Sequence, residues 1–135
     1  AKDLERPNGV TLSPDEKTLY VANSHGPHPL WMSYELKKNG MVKKGKLFFD
    51  STEYRKKHPS RKGGKDGMKV DVDGNIWATG PGGVLVFSPE GKHLGTILTG
   101  QRTANCAFGD DGFTLYITAD MYLMRIRTSI KGNGF

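Results

Sequence analysis

At 135 residues the chain is long enough for one domain or for part of a larger one. Eighteen glycines and seven prolines favour many short strands and tight turns over a helical bundle. The net charge is +6, there is a single cysteine, and no run approaches the roughly 18 apolar residues of a membrane span, so an internal disulfide is excluded and no membrane partner is expected.

The first residues, Ala1 to Pro7, are charged and polar and contain no apolar export core, which leaves the compartment open. Asn8-Gly9-Val10-Thr11-Leu12 then reads as a short strand. The acidic turn Pro14-Asp15-Glu16 follows, and Thr18 to Asn23 reads as a second, alternating strand. Next come a loop holding His25-Gly26-Pro27-His28, a third strand at Leu30 to Leu36 and a fourth at Gly45 to Phe49. The two histidines resemble a zinc spacing, but Gly-Pro breaks the helix that would align them, and a loop at the rim of a pocket is the expectation.

The same grammar returns twice. Asp66-Gly67-Met68-Lys69-Val70 opens a second unit, which turns at Asp73-Gly74 and continues through Ile76-Trp77-Ala78-Thr79. It adds strands at Gly83 to Ser88 and Lys92 to Leu98. Asn105-Cys106-Ala107-Phe108 opens a third unit, which turns at Asp111-Gly112 and continues through Leu115-Tyr116-Ile117 and Tyr122 to Thr128. Only Ser129 to Phe135 remain after that, too little for a fourth strand. Asp-Gly suits the tight hairpins, because glycine accepts positive φ. Antiparallel four-stranded units of about 40 residues are propeller blades. The expected blades are 7–50, 66–99 and 103–128, with a long basic inter-blade loop at 51–65.

Lys37 to Lys65 carry eleven Lys/Arg against Asp50 and Glu53, so the remainder of the chain is slightly acidic. A solvated, lysine-rich edge is the plain interpretation, and an anion-docking surface the sharper one. Few aromatics interleave and no nucleic-acid motif accompanies the charge, so no nucleic-acid partner is expected. Gly80-Pro81-Gly82-Gly83 precedes a strand and lacks a following Lys-Ser/Thr, so it reads as a hairpin turn. Cys106 sits in an expected strand and reads as a buried structural thiol. Asn8-Gly9 and Asp66-Gly67, taken alone, are ordinary turn dipeptides.

Taken together, four stretches carry a family resemblance. They are Arg6-Pro7-Asn8-Gly9-Val10 with Ser13-Pro14-Asp15 and Leu19-Tyr20-Val21-Ala22-Asn23; Asp66-Gly67-Met68-Lys69-Val70-Asp71; Gly80-Pro81-Gly82-Gly83-Val84 with Val86-Phe87-Ser88-Pro89-Glu90-Gly91; and Asn105-Cys106-Ala107-Phe108-Gly109 with Leu115-Tyr116-Ile117-Thr118. In order and spacing the chain resembles the C-terminal half of the SMP-30/gluconolactonase/luciferin-regenerating family, nearest its bacterial gluconolactonase-like members.

The resemblance implies an all-β, six-bladed β-propeller, about three blades of which lie in this chain. It implies a metal-dependent hydrolase of sugar lactones, with a small-molecule lactone as substrate. The cofactor would be a divalent metal, calcium first, with zinc, magnesium or manganese as alternatives. Asn8 and Asp66 fall on metal positions, Asp66 also on the position of the base, and Asn105 on a substrate-binding position. The family's glutamate ligand comes from its first blade, and Glu5 is too near Asn8 to be that residue. The site is therefore half present. Either a missing N-terminal half completes the ring or two copies of the chain pair as a homodimer. The alternative function is a non-catalytic half-propeller used for binding or assembly.

Overall fold

The computed structural model describes residues 1–135. Eleven strands form three antiparallel sheets. The first sheet contains β1 (Pro7–Leu12), β2 (Thr18–Asn23), β3 (Leu30–Glu35) and β4 (Lys46–Asp50), neighbours in space as in sequence. A short helix, α1 (Thr52–Lys57), leads to the second sheet, made of β5 (Met68–Val70), β6 (Ile76–Gly80), β7 (Gly83–Phe87) and β8 (His93–Leu98). The third sheet has only β9 (Thr103–Gly109), β10 (Thr114–Ala119) and β11 (Tyr122–Arg127). Three stacked meanders, each entered by its own first strand, are blades of a β-propeller.

The turns follow the chemistry of their residues. Gly74 and Gly112 sit at φ 84° and 87° behind Asp73 and Asp111, while Glu16 takes the left-handed position in the first unit at φ 56°.

Strand alternation divides the second sheet between two cores. Ile76, Ala78, Leu85 and Phe87 face the first sheet, where they meet Tyr20, Ala22 and Trp31. Trp77 and Val84 face the third sheet and meet Cys106, Phe108, Leu115 and Ile117. Every residue of β6 is buried because both faces of its sheet are covered. Each such apolar side chain contributes roughly 1.5–3 kcal/mol by leaving water. The two outer faces differ: Val10 and Leu12 on β1, and Tyr122, Leu123 and Ile126 on β11, stay exposed.

Asp71 holds the β5–β6 corner. It is 0% exposed, and its carboxylate accepts hydrogen bonds from the Asp73 and Asn75 backbone N–H groups (3.0 and 2.9 Å), from Asn75 Nδ2 (2.8 Å) and from Trp77 Nε1 (2.9 Å). Asp71→Ala strands these donors, the buried indole among them, and is expected to cost about 3 kcal/mol in denaturant unfolding. A loss below about 0.5 kcal/mol would show that the corner is not needed.

Segment 51–65 departs from a pure loop. Asp50 Oδ1 accepts from both the N–H and the hydroxyl of Thr52 (2.8 and 2.6 Å), and Arg55 N–H donates to Ser51 O (2.9 Å). Glu53 lies in the first turn and Arg55, Lys56 and Lys57 in the last, which suits the helix dipole and winds α1. Tyr54 docks the helix on β8 through its hydroxyl and Thr96 Oγ1, 2.9 Å apart. The last residues return to the second sheet: Val72 N–H donates to Lys131 O and Asn133 N–H to Val70 O, both 3.0 Å.

Candidate functional site

The first strands of the three sheets, β1, β5 and β9, lie side by side, with β5 in the middle. Their starting ends gather at one polar cavity of about 370 Å³. Asn8, Ser24, Asp66, Arg102, Thr118 and Asp120 line it, and Ala104 is its single apolar contributor. Lining residues that are polar or glycine in all but one case suit water, ions or a hydroxylated ligand.

Asn8 reaches the cavity because β1 is irregular there. Pro7 pairs with Asn23 but Val10 pairs with Val21, so Asn8-Gly9 forms a bulge in the β1–β2 ladder. A bulge re-aims a side chain, and bulges recur beside functional sites. Gly9 has its own reason to be glycine. A Cβ there would stand 1.7 Å from the Asp66 carbonyl oxygen, so only a bare Cα lets β1 approach the start of β5. The dipeptide is thus a strand bulge with a close backbone approach, where the residues alone suggest a turn.

The next seam is built alike. Gly67 N–H donates to Ala104 O (2.9 Å), and Thr79 Oγ1 donates to Gly67 O (3.0 Å) and Ala104 O (3.2 Å). A Cβ on Gly67 would meet Asn105 Oδ1 at 1.9 Å. These contacts fix Asp66 between the neighbouring strand starts.

The structure brings Asn8 and Asp66 to the same cavity, and it places Asn105 beside them. Asn105 Oδ1 accepts from Cys106 N–H (2.9 Å), and the residue lines an adjoining groove with Lys69, Cys106, Tyr116 and Leu123. Thr118 belongs to both the groove and the cavity. The bulge at the start of β9, where the pairing slips between Thr118 and Ala119, accompanies this placement.

Donor chemistry at Asn8 and Asp66 fits a hard cation. Asn8 Nδ2 donates to Ser24 Oγ (3.1 Å), which leaves its Oδ1 free of protein donors. The Asp66 carboxylate accepts no hydrogen bond and forms no ion pair within the chain. A half-buried carboxylate and an amide oxygen without protein partners, at one polar cavity, are ligands of the type calcium or magnesium takes. Two oxygens are fewer than such an ion needs, so the rest must come from water or from outside this chain.

Ser24 and Asp120 escaped the residue-level reading, yet the repeat marks them. Each stands immediately after the second strand of its unit, and Asp120 accepts from Arg102 N–H (3.3 Å) at the start of its own unit's first strand. Ser24 Oγ also donates to Lys65 O, joining the first two blades at the cavity wall. Cys106 has no part in chemistry: burial pushes its thiol up to about 12, and Sγ donates to Trp77 O (3.5 Å).

Lys65, only 3% exposed, lays its ammonium over the Trp31 ring, 5.8 Å from the centroid. Burial, with help from nearby Arg55, lowers its pKa to about 8. The folded state therefore gives up this proton before the unfolded chain does. Below pH 8 the charged form carries the full desolvation penalty, and stability should rise as pH climbs from about 8 toward 10.5. Lys65→Met should remove this rise and stabilise the fold at pH 7, by up to about 3 kcal/mol. Thermal melts at pH 7 and pH 9.5 read both effects, and a wild-type Tm that falls over this interval while the variant's holds would contradict them.

Three stacked blades with unpartnered oxygen donors at the strand starts define part of a β-propeller with a candidate cation site. A family model, SMP-30/Gluconolactonase/LRE-like region, matches residues 1–120, and the chain belongs to that family. It is 41% identical to the gluconolactonase of Zymomonas mobilis over 133 residues, covering 96% of this chain and 36% of that protein. The solved structure of a gluconolactonase from Xanthomonas campestris superposes with a TM-score of 0.77 at 30% identity, covering 96% of this chain and 39% of the other. A calcium-binding regucalcin from Agrobacterium tumefaciens superposes at 0.74 with 26% identity, covering 98% and 48%. The chain thus spans less than half the length of each of these relatives. No helix in it is long and apolar enough to cross a membrane.

Proposed function

We propose that this chain contributes half of the active site of a metal-dependent sugar-lactone hydrolase, with Asn8 and Asp66 as metal positions and Asp66 as the base. The observation that carries this reading is the pair of unpartnered oxygen donors at one polar cavity. The gluconolactonase and regucalcin relatives support it from outside.

Asn8 Oδ1 and the Asp66 carboxylate would hold the cation, calcium first. When bound, such an ion polarises a lactone carbonyl and acidifies a neighbouring water. Asp66 takes a proton from the attacking water as its oxygen bonds to the carbonyl carbon. The same carboxyl then returns the proton to the ring oxygen as the ring C–O bond breaks, giving an open hydroxy acid. Arg102 and Thr118 face the cavity and are placed to orient a hydroxylated substrate. Asn105 would contact substrate from the adjoining groove, so Asn105→Ala should raise KM more than it lowers kcat.

The test is hydrolysis of a sugar δ-lactone by the intact protein that contains this chain, before and after chelation. Activity should fall with chelator and return with added calcium. Full activity in excess chelator would sink the metal-dependent reading.

The exposed apolar residues of the outer sheets favour a second reading, a half-propeller that works by assembly. A six-bladed ring would cover both faces, whether the missing blades come from a second copy or from a separate half. Light scattering on the chain decides between a dimer and a monomer that awaits its other half.

A further inference from the structure

A second cluster of ligating atoms lies beside the cavity and takes no part in the lactonase reading. Glu5, His25 and His28 each offer one ligand atom, and the three lie within 4.8 Å of one another. Glu5 precedes β1, and the histidines belong to the loop between β2 and β3. The strand register brings them together, because Pro7 pairs with Asn23.

A buried clamp holds this arrangement. Asn23, 2% exposed, accepts from Arg6 N–H at Oδ1 (3.0 Å) and donates from Nδ2 to His28 O (3.0 Å). Ser24 N–H donates to Arg6 O (2.8 Å). The backbones next to Glu5, His25 and His28 are therefore pinned to one another by groups that lie outside the cluster.

His25 Nδ1 is the second observation. It is buried and makes no hydrogen bond, although the Glu5 carboxylate is in contact with it. That contact lacks hydrogen-bond geometry, so the carboxylate is the only partner of a buried ring nitrogen that makes no hydrogen bond. The two imidazole rings stand 5.7 Å apart at 37°. A cation between them would take the Nδ1 lone pair, the second imidazole and the carboxylate together.

The geometry points to a transition-metal site at Glu5, His25 and His28, of the kind that binds Zn²⁺. Two imidazoles and a carboxylate are a zinc ligand set that leaves a fourth position open, whereas a hard ion such as calcium prefers oxygens alone. Bonds of about 2.0–2.2 Å need the touching Glu5 and His25 atoms to part and the more distant ligand atom to close in. The loop has room to adjust at Gly26, where nothing lies within 4 Å of an added Cβ. The helix that the Gly-Pro sequence forbids is not required, because the β1–β2 register aligns the ligands instead. An ion there would tie the segment before β1 to the β2–β3 loop. It would sit next to Ser24, which binds Asn8 in the cavity wall. The site does not depend on the lactonase assignment.

The test is a titration of the protein with Zn²⁺, read by calorimetry and by the histidine ring resonances in NMR. Wild type should bind one equivalent at micromolar concentration or below, with His25 and His28 shifting while His58 and His93, which pack on Tyr54, stay in place. His25→Ala and His28→Ala should each weaken binding at least about tenfold, and Glu5→Gln should weaken it without disturbing the fold. Asp66→Ala should leave it unchanged, which separates this site from the cavity. Binding only at millimolar Zn²⁺, or ring resonances of His25 and His28 that do not move, would overturn the site, and the wild-type NMR arm does so without needing any variant to fold.

Discussion

Asp66→Ala in the intact protein should lower kcat/KM for lactone hydrolysis by at least about 100-fold and leave the fold intact. The size follows from removing a general base, an effect of typically 10²–10⁴-fold, together with a metal position. Asp66 offers a carboxylate to the cavity and receives no hydrogen bond from the chain, so nothing structural depends on it. Functional groups held without a partner tend to cost stability, so Tm should stay level or rise slightly. Asp66→Asn keeps the shape and an oxygen donor but not the base. It should lose nearly as much turnover as Asp66→Ala while retaining more of the metal affinity. A fall in Tm as large as the fall in activity would instead mark Asp66 as a structural residue.

Gly9→Ala should be among the most damaging small substitutions in the chain. The added methyl would lie 1.7 Å from the Asp66 carbonyl oxygen and 2.8 Å from its carbon, and both are backbone atoms that cannot swing aside. The first blade must then move from the second, or the start of β5 must shift. Overpacking of this kind costs roughly 1–3 kcal/mol or more, a drop in Tm of up to about 10 °C for a domain of this size. Activity should fall beyond what instability explains, because Asn8 and Asp66 part. Gly67→Ala is the control. Its new methyl meets the Asn105 side chain at 1.9 Å and backbone only at 3.1 Å, so the loss should be smaller, at the expense of the Asn105 bond to Cys106 N–H. Equal losses at the two glycines would contradict the account of the first seam.

The repeat made most of the fold legible in the sequence. Openers, acidic turns and aromatic second strands recur at the right spacing, and the strands form where alternation and Asp-Gly turns place them. What stayed hidden depends on contacts across blades. The bulge at Asn8-Gly9 cannot be told from a turn without knowing that Asp66 stands against it. Helix α1 is one and a half turns held by Asp50, Ser51 and a Tyr54 contact to β8, and its own residues propose it only weakly. Asn105 follows the repeat as an opener, yet its side chain closes on Cys106 N–H beside the β9 bulge. The His25 and His28 spacing shows locally, but strand register brings Glu5, twenty positions before His25, to the pair, which no local spacing rule reports.

The central claim is that Asn8 and Asp66 together hold a cation at the polar cavity. Calcium titration of the intact protein by calorimetry tests it most directly, comparing wild type with Asn8→Ala, Asp66→Ala and His25→Ala. The first two variants should each lose at least about tenfold in affinity while His25→Ala binds as wild type does. Unchanged calcium binding in both Asn8→Ala and Asp66→Ala would contradict it and leave the cavity without its ion.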